Sequence, residues 1–187
     1  MQRYLGHNSP RVRLSAAGAL ARGGSPEAPL LRAVHKERNE LVLASLCEAL
    51  GDVGGDASLP TLRSIAEEHR SQLVRRQALA AIAVILDDEA VDYLRARRAS
   101  DNSRRVRATI DVLLLWLGGD GDVVARLESH LGSRDRIVRS IVVVMPRYYT
   151  ELRRSKPLRQ LLDRAANKDR DRALRSDALA TLKALTT

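Results

Sequence analysis

The stretch Ser9-Pro-Arg-Val-Arg-Leu-Ser-Ala-Ala-Gly-Ala-Leu20 carries the pattern on which the rest of the chain is built. A small polar residue is followed, after two spacers, by an aliphatic residue, then arginine, then apolar residues at helical spacing. The aliphatic position recurs at Val12, Val42, Val74, Val106, Val138 and Leu174, at intervals of 30, 32, 32, 32 and 36 residues. The next residue is Arg13, Leu43, Arg75, Arg107, Arg139 and Arg175. Three residues before each aliphatic stand Ser9, Asn39, Ser71, Ser103, Asp135 and Asp171. All are N-cap types, whose side-chain oxygen can accept a bond from the free amides of a first helical turn. Pro10 falls at the first helical position, where its missing N–H costs nothing.

Downstream of the caps the apolar phase is helical. Val12, Ala16, Ala19 and Leu20 align with Val42, Leu46, Ala49 and Leu50, with Val74, Ala78, Ala81 and Ile82, and with Val106, Ile110, Leu113 and Leu114. A first helix is predicted before each of the last five caps, over 26–37, 58–69, 88–98, 120–131 and 157–166. Gly51, Gly54, Gly55, Gly118 and Gly119 are read as left-handed helix stops. Ile141–Val144 is β-branched but shares the helical register and is assigned to helix. Two helices per period of about 32 residues predict an all-α, right-handed α-solenoid over 1–187: a half repeat 1–24, then repeats 25–55, 56–87, 88–119, 120–149 and 150–187. The array begins mid-repeat and lacks an evident polar cap. The expectation is that a partner covers an end or that the chain is part of something longer.

The segments Ser9–Leu20 and Asp135-Arg-Ile-Val-Arg-Ser140 resemble HEAT repeats, and the short period is similar to the HEAT-like repeats also found in phycobilisome lyases. The resemblance implies a two-helix solenoid and leaves function open, because such repeats serve many roles. It also implies that the arginine after the aliphatic joins a ladder with turn carboxylates of neighbouring repeats. Only Asp135 and Asp171 are acidic at the cap, so a partial ladder is expected.

Composition excludes several classes. No apolar run approaches the ~20 residues of a membrane span, and the N-terminus has no signal-peptide core. One cysteine, Cys47, rules out an internal disulfide framework, and a cytoplasmic location is expected. Cys47 is read as a buried small hydrophobe. His7, His35, His69 and His130 have no metal-ligand spacing and are read as solvated turn residues. No phosphate-binding glycine loop or nucleophile elbow occurs. The chain is therefore expected to be non-catalytic and to need no cofactor. Asp111 interrupts an apolar helix off its core face. It is read as a structural ion pair with Arg76, Arg104 or Arg107, or as a carboxylate on an inner surface. The latter, with Trp116, echoes the HEAT-like alkylpurine DNA glycosylases.

Charge is distributed unevenly. Residues 1–94 carry 11 Lys+Arg against 12 Asp+Glu, and residues 95–187 carry 21 against 11. Such a field attracts an anionic partner. The first reading is a protein-interaction scaffold with an acidic protein partner; nucleic-acid binding is the second, and an enzyme or lyase subunit the third. Arg76, Arg104, Asp111, Arg136, Ser140 and Arg172 are expected to line a concave face, and Arg107 is a further binding candidate. The four extra residues of the last interval lie between Pro146 and Pro157, in Arg147-Tyr-Tyr-Thr-Glu-Leu-Arg-Arg-Ser-Lys156. Insertions in such arrays are often the binding element, so Arg147, Tyr148, Tyr149, Arg153 and Arg154 join the candidate site. The alternative is that Tyr148, Tyr149 and Leu152 pack over the last repeat.

Overall fold

A computed structural model describes residues 2–22, 27–119 and 121–186. The helix starts expected at 26 and 120, and the half-repeat end at 24, lie outside the described residues. Each polar residue that the sequence places before an aliphatic opens a helix at the next position. These are α1 (Pro10–Arg22), α3 (Glu40–Val53), α5 (Gln72–Leu86), α7 (Arg104–Trp116), α9 (Arg136–Val144) and α11 (Arg172–Ala184). Between them run α2 (Glu27–Lys36), α4 (Leu59–Glu68), α6 (Ala90–Ser100), α8 (Val123–Leu131) and α10 (Lys156–Lys168). No strand occurs among the described residues, and no helix among them is long and apolar enough to cross a membrane. The fold class is an all-α, HEAT-type solenoid.

The caps work as local chemistry requires. Asn39 accepts from the Leu41 and Val42 amides, Ser103 from Val106, Asp135 from Ile137, and Asp171 from Ala173 and Leu174. Ser71 differs: its backbone is extended as a cap should be, but its side chain makes no capping bond.

The chain divides into two compact units, Met1–Arg97 and Arg98–Thr187. In the first, α1, α3 and α5 pack in series, with α2 against α3 and α4 against α5. Leu30, Leu46, Leu50, Leu62, Leu79 and Ile82 are fully buried there, each worth about 1.5–3 kcal/mol of transfer free energy. Small residues bring the backbones close. A Cβ on Gly51 would lie 2.9 Å from the Cα of Ala81. Gly51 therefore sits inside α3 as a helix-contact residue and is not the stop that its sequence neighbourhood predicts. Gly54 and Gly55 are likewise not left-handed, at φ −80° and −128°.

In the second unit α9 packs between α7 and α11, α8 lies against α7 and α9, and α10 against α11. Gly118 is a left-handed stop, at φ +67°. The Gly119 amide reaches the Leu114 carbonyl at 3.0 Å and the Gly118 amide that of Leu115 at 3.3 Å, which together close α7 in a Schellman motif.

Candidate binding surface

Much of the chain's arginine holds the turns between paired helices. Four of the five repeated arginines donate to the carbonyl six residues earlier, and three of them also to the carbonyl five residues earlier. Arg13 bonds those of His7 and Asn8 (2.8 and 3.0 Å), and Arg75 those of His69 and Arg70 (2.8 and 3.3 Å). Arg139 bonds those of Ser133 and Arg134 (2.9 and 3.3 Å), and Arg175 that of Asp169 (2.7 Å). Arg13 and Arg139 also reach a carboxylate of the following turn. Arg13 forks onto Glu37 at 2.7 and 2.9 Å, and Arg139 onto Asp169 at 2.9 and 3.3 Å. The Arg13 bond, against a smaller opposing effect of burial, holds the Glu37 carboxyl below its usual range. These partners stand two residues before the cap, not at the cap as the sequence led us to expect. The cap acids pair with other arginines: Asp135 with Arg105 at 2.8 Å, and Asp171 with Arg136 at 2.5 Å. Both cap carboxyls lie below their ordinary pKa, chiefly through those bonds.

The position two before the cap has a second task that the sequence reading missed. Its side chain accepts the cap residue's own amide throughout: His7 Nδ1 at 3.0 Å, Glu37 at 2.8 Å, His69 Nδ1 at 3.1 Å, Asp101 at 2.8 Å, Ser133 at 3.2 Å and Asp169 at 2.8 Å. Chemically unlike residues share one acceptor role, and their common register is the signal that could have revealed it.

Asp111 corrects the sequence reading most sharply. It is fully buried, not off the core face, and it is ion-paired as one reading had it, but with partners other than Arg76, Arg104 and Arg107. Oδ1 accepts from Arg98 Nε at 2.6 Å and from Arg126 Nε at 2.7 Å, and Oδ2 faces His130 Nε2 at 2.8 Å. Burial pushes this carboxyl up, but the bonds from His130, Arg98 and Arg126 outweigh it and bring it below its usual value. His130, expected in solvent, is buried within the same cluster. With its oxygens engaged inside unit two, Asp111 does not belong to an exposed binding face.

The insertion divides between packing and exposure. α9 ends at Val144 and the chain continues in two 3-10 turns, Met145–Tyr148 and Thr150–Arg154. Tyr149 is buried and stacks on Trp116 with ring centroids 4.5 Å apart, while the Trp116 indole N–H donates to Glu151 at 2.9 Å. Leu152 is buried. Arg147 reaches α11, bonding Thr181 Oγ1 at 3.2 Å. Tyr149 and Arg147 are thus spent on packing the loop. Tyr148 is 73% exposed, and Arg153 and Arg154 are exposed.

Of the remaining candidates, Arg104 and Arg172 are exposed at the start of their helices, and Arg136 is exposed while paired to Asp171. Arg107 is half-buried. Arg76 lies half-buried on α5 in the other unit. Cys47 is fully buried and its thiol is pushed up to about 12 by that burial, as expected of a core residue. No cluster of His, Cys, Asp and Glu among the described residues could hold a metal ion.

A family profile described as HEAT repeats matches residues 28–114. No curated protein matches the chain significantly.

Proposed function

The chain belongs to the HEAT-repeat family, and we propose that it is a non-catalytic binding module whose second unit engages an acidic polypeptide. The observation that carries this reading is the cationic surplus left after the structural arginines are accounted for. Residues 98–187 carry 19 Lys+Arg against 11 Asp+Glu. Arg105, Arg126, Arg136, Arg139 and Arg164 are held by carboxylates. Arg134, Arg154 and Arg172 are exposed and make no ion pair among the described residues, and Arg153 stands exposed beside Arg154. An exposed cationic surface raises the encounter rate with an anionic partner and sets its salt dependence.

Aromatic usage favours a polypeptide over a single-stranded nucleic acid. Single-strand surfaces stack bases on exposed aromatic faces, each worth about 1–3 kcal/mol. In the second unit Trp116 and Tyr149 are stacked on one another, which leaves Tyr148 exposed. The test is fluorescence anisotropy of the full chain with a labelled Asp/Glu-rich peptide and with a single-stranded oligonucleotide of equal charge. The expected result is saturable peptide binding. Tighter binding of the oligonucleotide, with a steep fall as salt rises, would replace this reading with the nucleic-acid one.

A further inference from the structure

One arginine of the repeating column stands apart from the others. Arg13 and Arg139 each hold a carboxylate of the following turn, Glu37 and Asp169, two residues before the next cap. The corresponding residue for Arg107 is Ser133, whose hydroxyl accepts the Asp135 amide but brings no charge. Arg107 is half-buried, and its guanidinium makes no hydrogen bond or ion pair among the described residues. It lines a cavity of about 380 Å³ together with Arg98, Ala99, Arg104, Ser129 and His130.

The cavity is lined by three arginines and by no carboxylate. Arg98 and Arg126 share Asp111, and Arg104 bonds only a carbonyl, that of Ser129 at 3.1 Å. Three guanidinium groups thus line the cavity, and of these only Arg98 is held by a carboxylate, that of Asp111. Arg104 and Arg107 also stand in the first turn of α7, where the free amides and the helix dipole favour negative charge. His130 is 6% exposed, with Nε2 on Asp111 and Nδ1 buried without a partner. A half-buried cation without its anion is unfavourable, and the other arginines of this column avoid that state with an in-chain carboxylate or turn carbonyls.

We propose that this cavity is a phosphate-binding site, in which a dianionic phosphate group takes the place of the missing carboxylate. Arginine forks match phosphate oxygens in geometry and charge. The surplus of positive charge suits a dianion better than the single charge of a carboxylate. The proposal does not depend on the acidic-polypeptide reading, because its probe is inorganic phosphate alone.

The test is isothermal titration of the full chain with inorganic phosphate. Wild type should bind at one saturable site. Arg107→Gln should weaken binding tenfold or more. Ser133→Asp should do the same while preserving or raising the melting temperature, because Asp169 already fills this column in the next turn and Asp keeps the acceptor for the Asp135 amide. Arg154→Gln, outside the cavity, should bind as wild type does. A phosphoserine peptide that binds tighter than inorganic phosphate would assign the site to a phosphorylated side chain; equal affinity would assign it to a free phosphate ester. Absence of saturable binding in wild type, or undiminished affinity in both Arg107→Gln and Ser133→Asp, would overturn the proposal.

Discussion

Replacing Asp111 by Asn keeps the shape of the buried cluster and removes its charge. The carboxylate is 0% exposed and accepts from Arg98, Arg126 and His130 at 2.6, 2.7 and 2.8 Å. Breaking a buried ion pair by removing one partner costs about 3–5 kcal/mol, because the stranded charge stays desolvated. The stranded partners here are not equally trapped. The Arg98 and Arg126 side chains keep 30% and 21% exposure and can recover part of their hydration, whereas His130 keeps 8%. That places the expected loss near the lower end, ~3 kcal/mol. It is a large share of a stability in the range of about 5–15 kcal/mol. Trp116 is the chain's one tryptophan and lies in the same unit, on α7. Urea unfolding followed by its fluorescence reads the effect locally, as a fall in midpoint with little change in slope. Asp163→Asn, at an exposed position on α10, serves as control and should change stability by less than ~0.5 kcal/mol. A loss below ~1 kcal/mol for Asp111→Asn would refute the argument that this carboxylate neutralises the cluster.

Three other outcomes follow from the packing and the caps. Gly51→Ala should destabilise by about 1–3 kcal/mol through overpacking against Ala81, despite a helix-propensity gain of ~1 kcal/mol; a higher urea midpoint would contradict the close approach of α3 and α5. Ser103→Ala should cost roughly 0.5–2 kcal/mol as a lost cap, and Ser71→Ala, whose side chain makes no capping bond, clearly less; equal losses would contradict the distinction. The carboxyls of Glu37, Asp111, Asp135 and Asp171 sit below their ordinary values in the folded chain. Their contribution is therefore complete above the unfolded value of ~4 and is lost as pH falls through the lower folded values. The melting temperature should stay level from about pH 7 to 5 and drop below ~4; a main fall between pH 7 and 5 would point to other groups.

What could be read in advance follows from how local each cause is. Helix starts at Pro10, Glu40, Gln72, Arg104, Arg136 and Arg172 were legible because an N-cap preference acts within a few residues. Gly118 was legible for the same reason, as a left-handed stop one turn from its partners. Gly51 was misread because its role depends on Ala81, a residue of another helix that no local pattern names. Asp111 was misread because its partners are 13, 15 and 19 residues away, and helical phase counts a carboxylate as a surface residue unless its neutralising partners are known. Pro146 and Pro157 bounded the insertion, since proline restricts where helices end and begin. Neither could decide that Tyr149 would pack and Tyr148 would not.

The acidic-polypeptide reading is tested most directly at the exposed end of that insertion, with the double change Arg153→Glu and Arg154→Glu. Its two side chains are exposed, so helicity and melting temperature should be nearly unchanged. Anisotropy titration with the labelled Asp/Glu-rich peptide should show affinity reduced about tenfold or more, ~1.4 kcal/mol. Wild-type affinity for the peptide in the double variant, with the fold intact, would contradict the account.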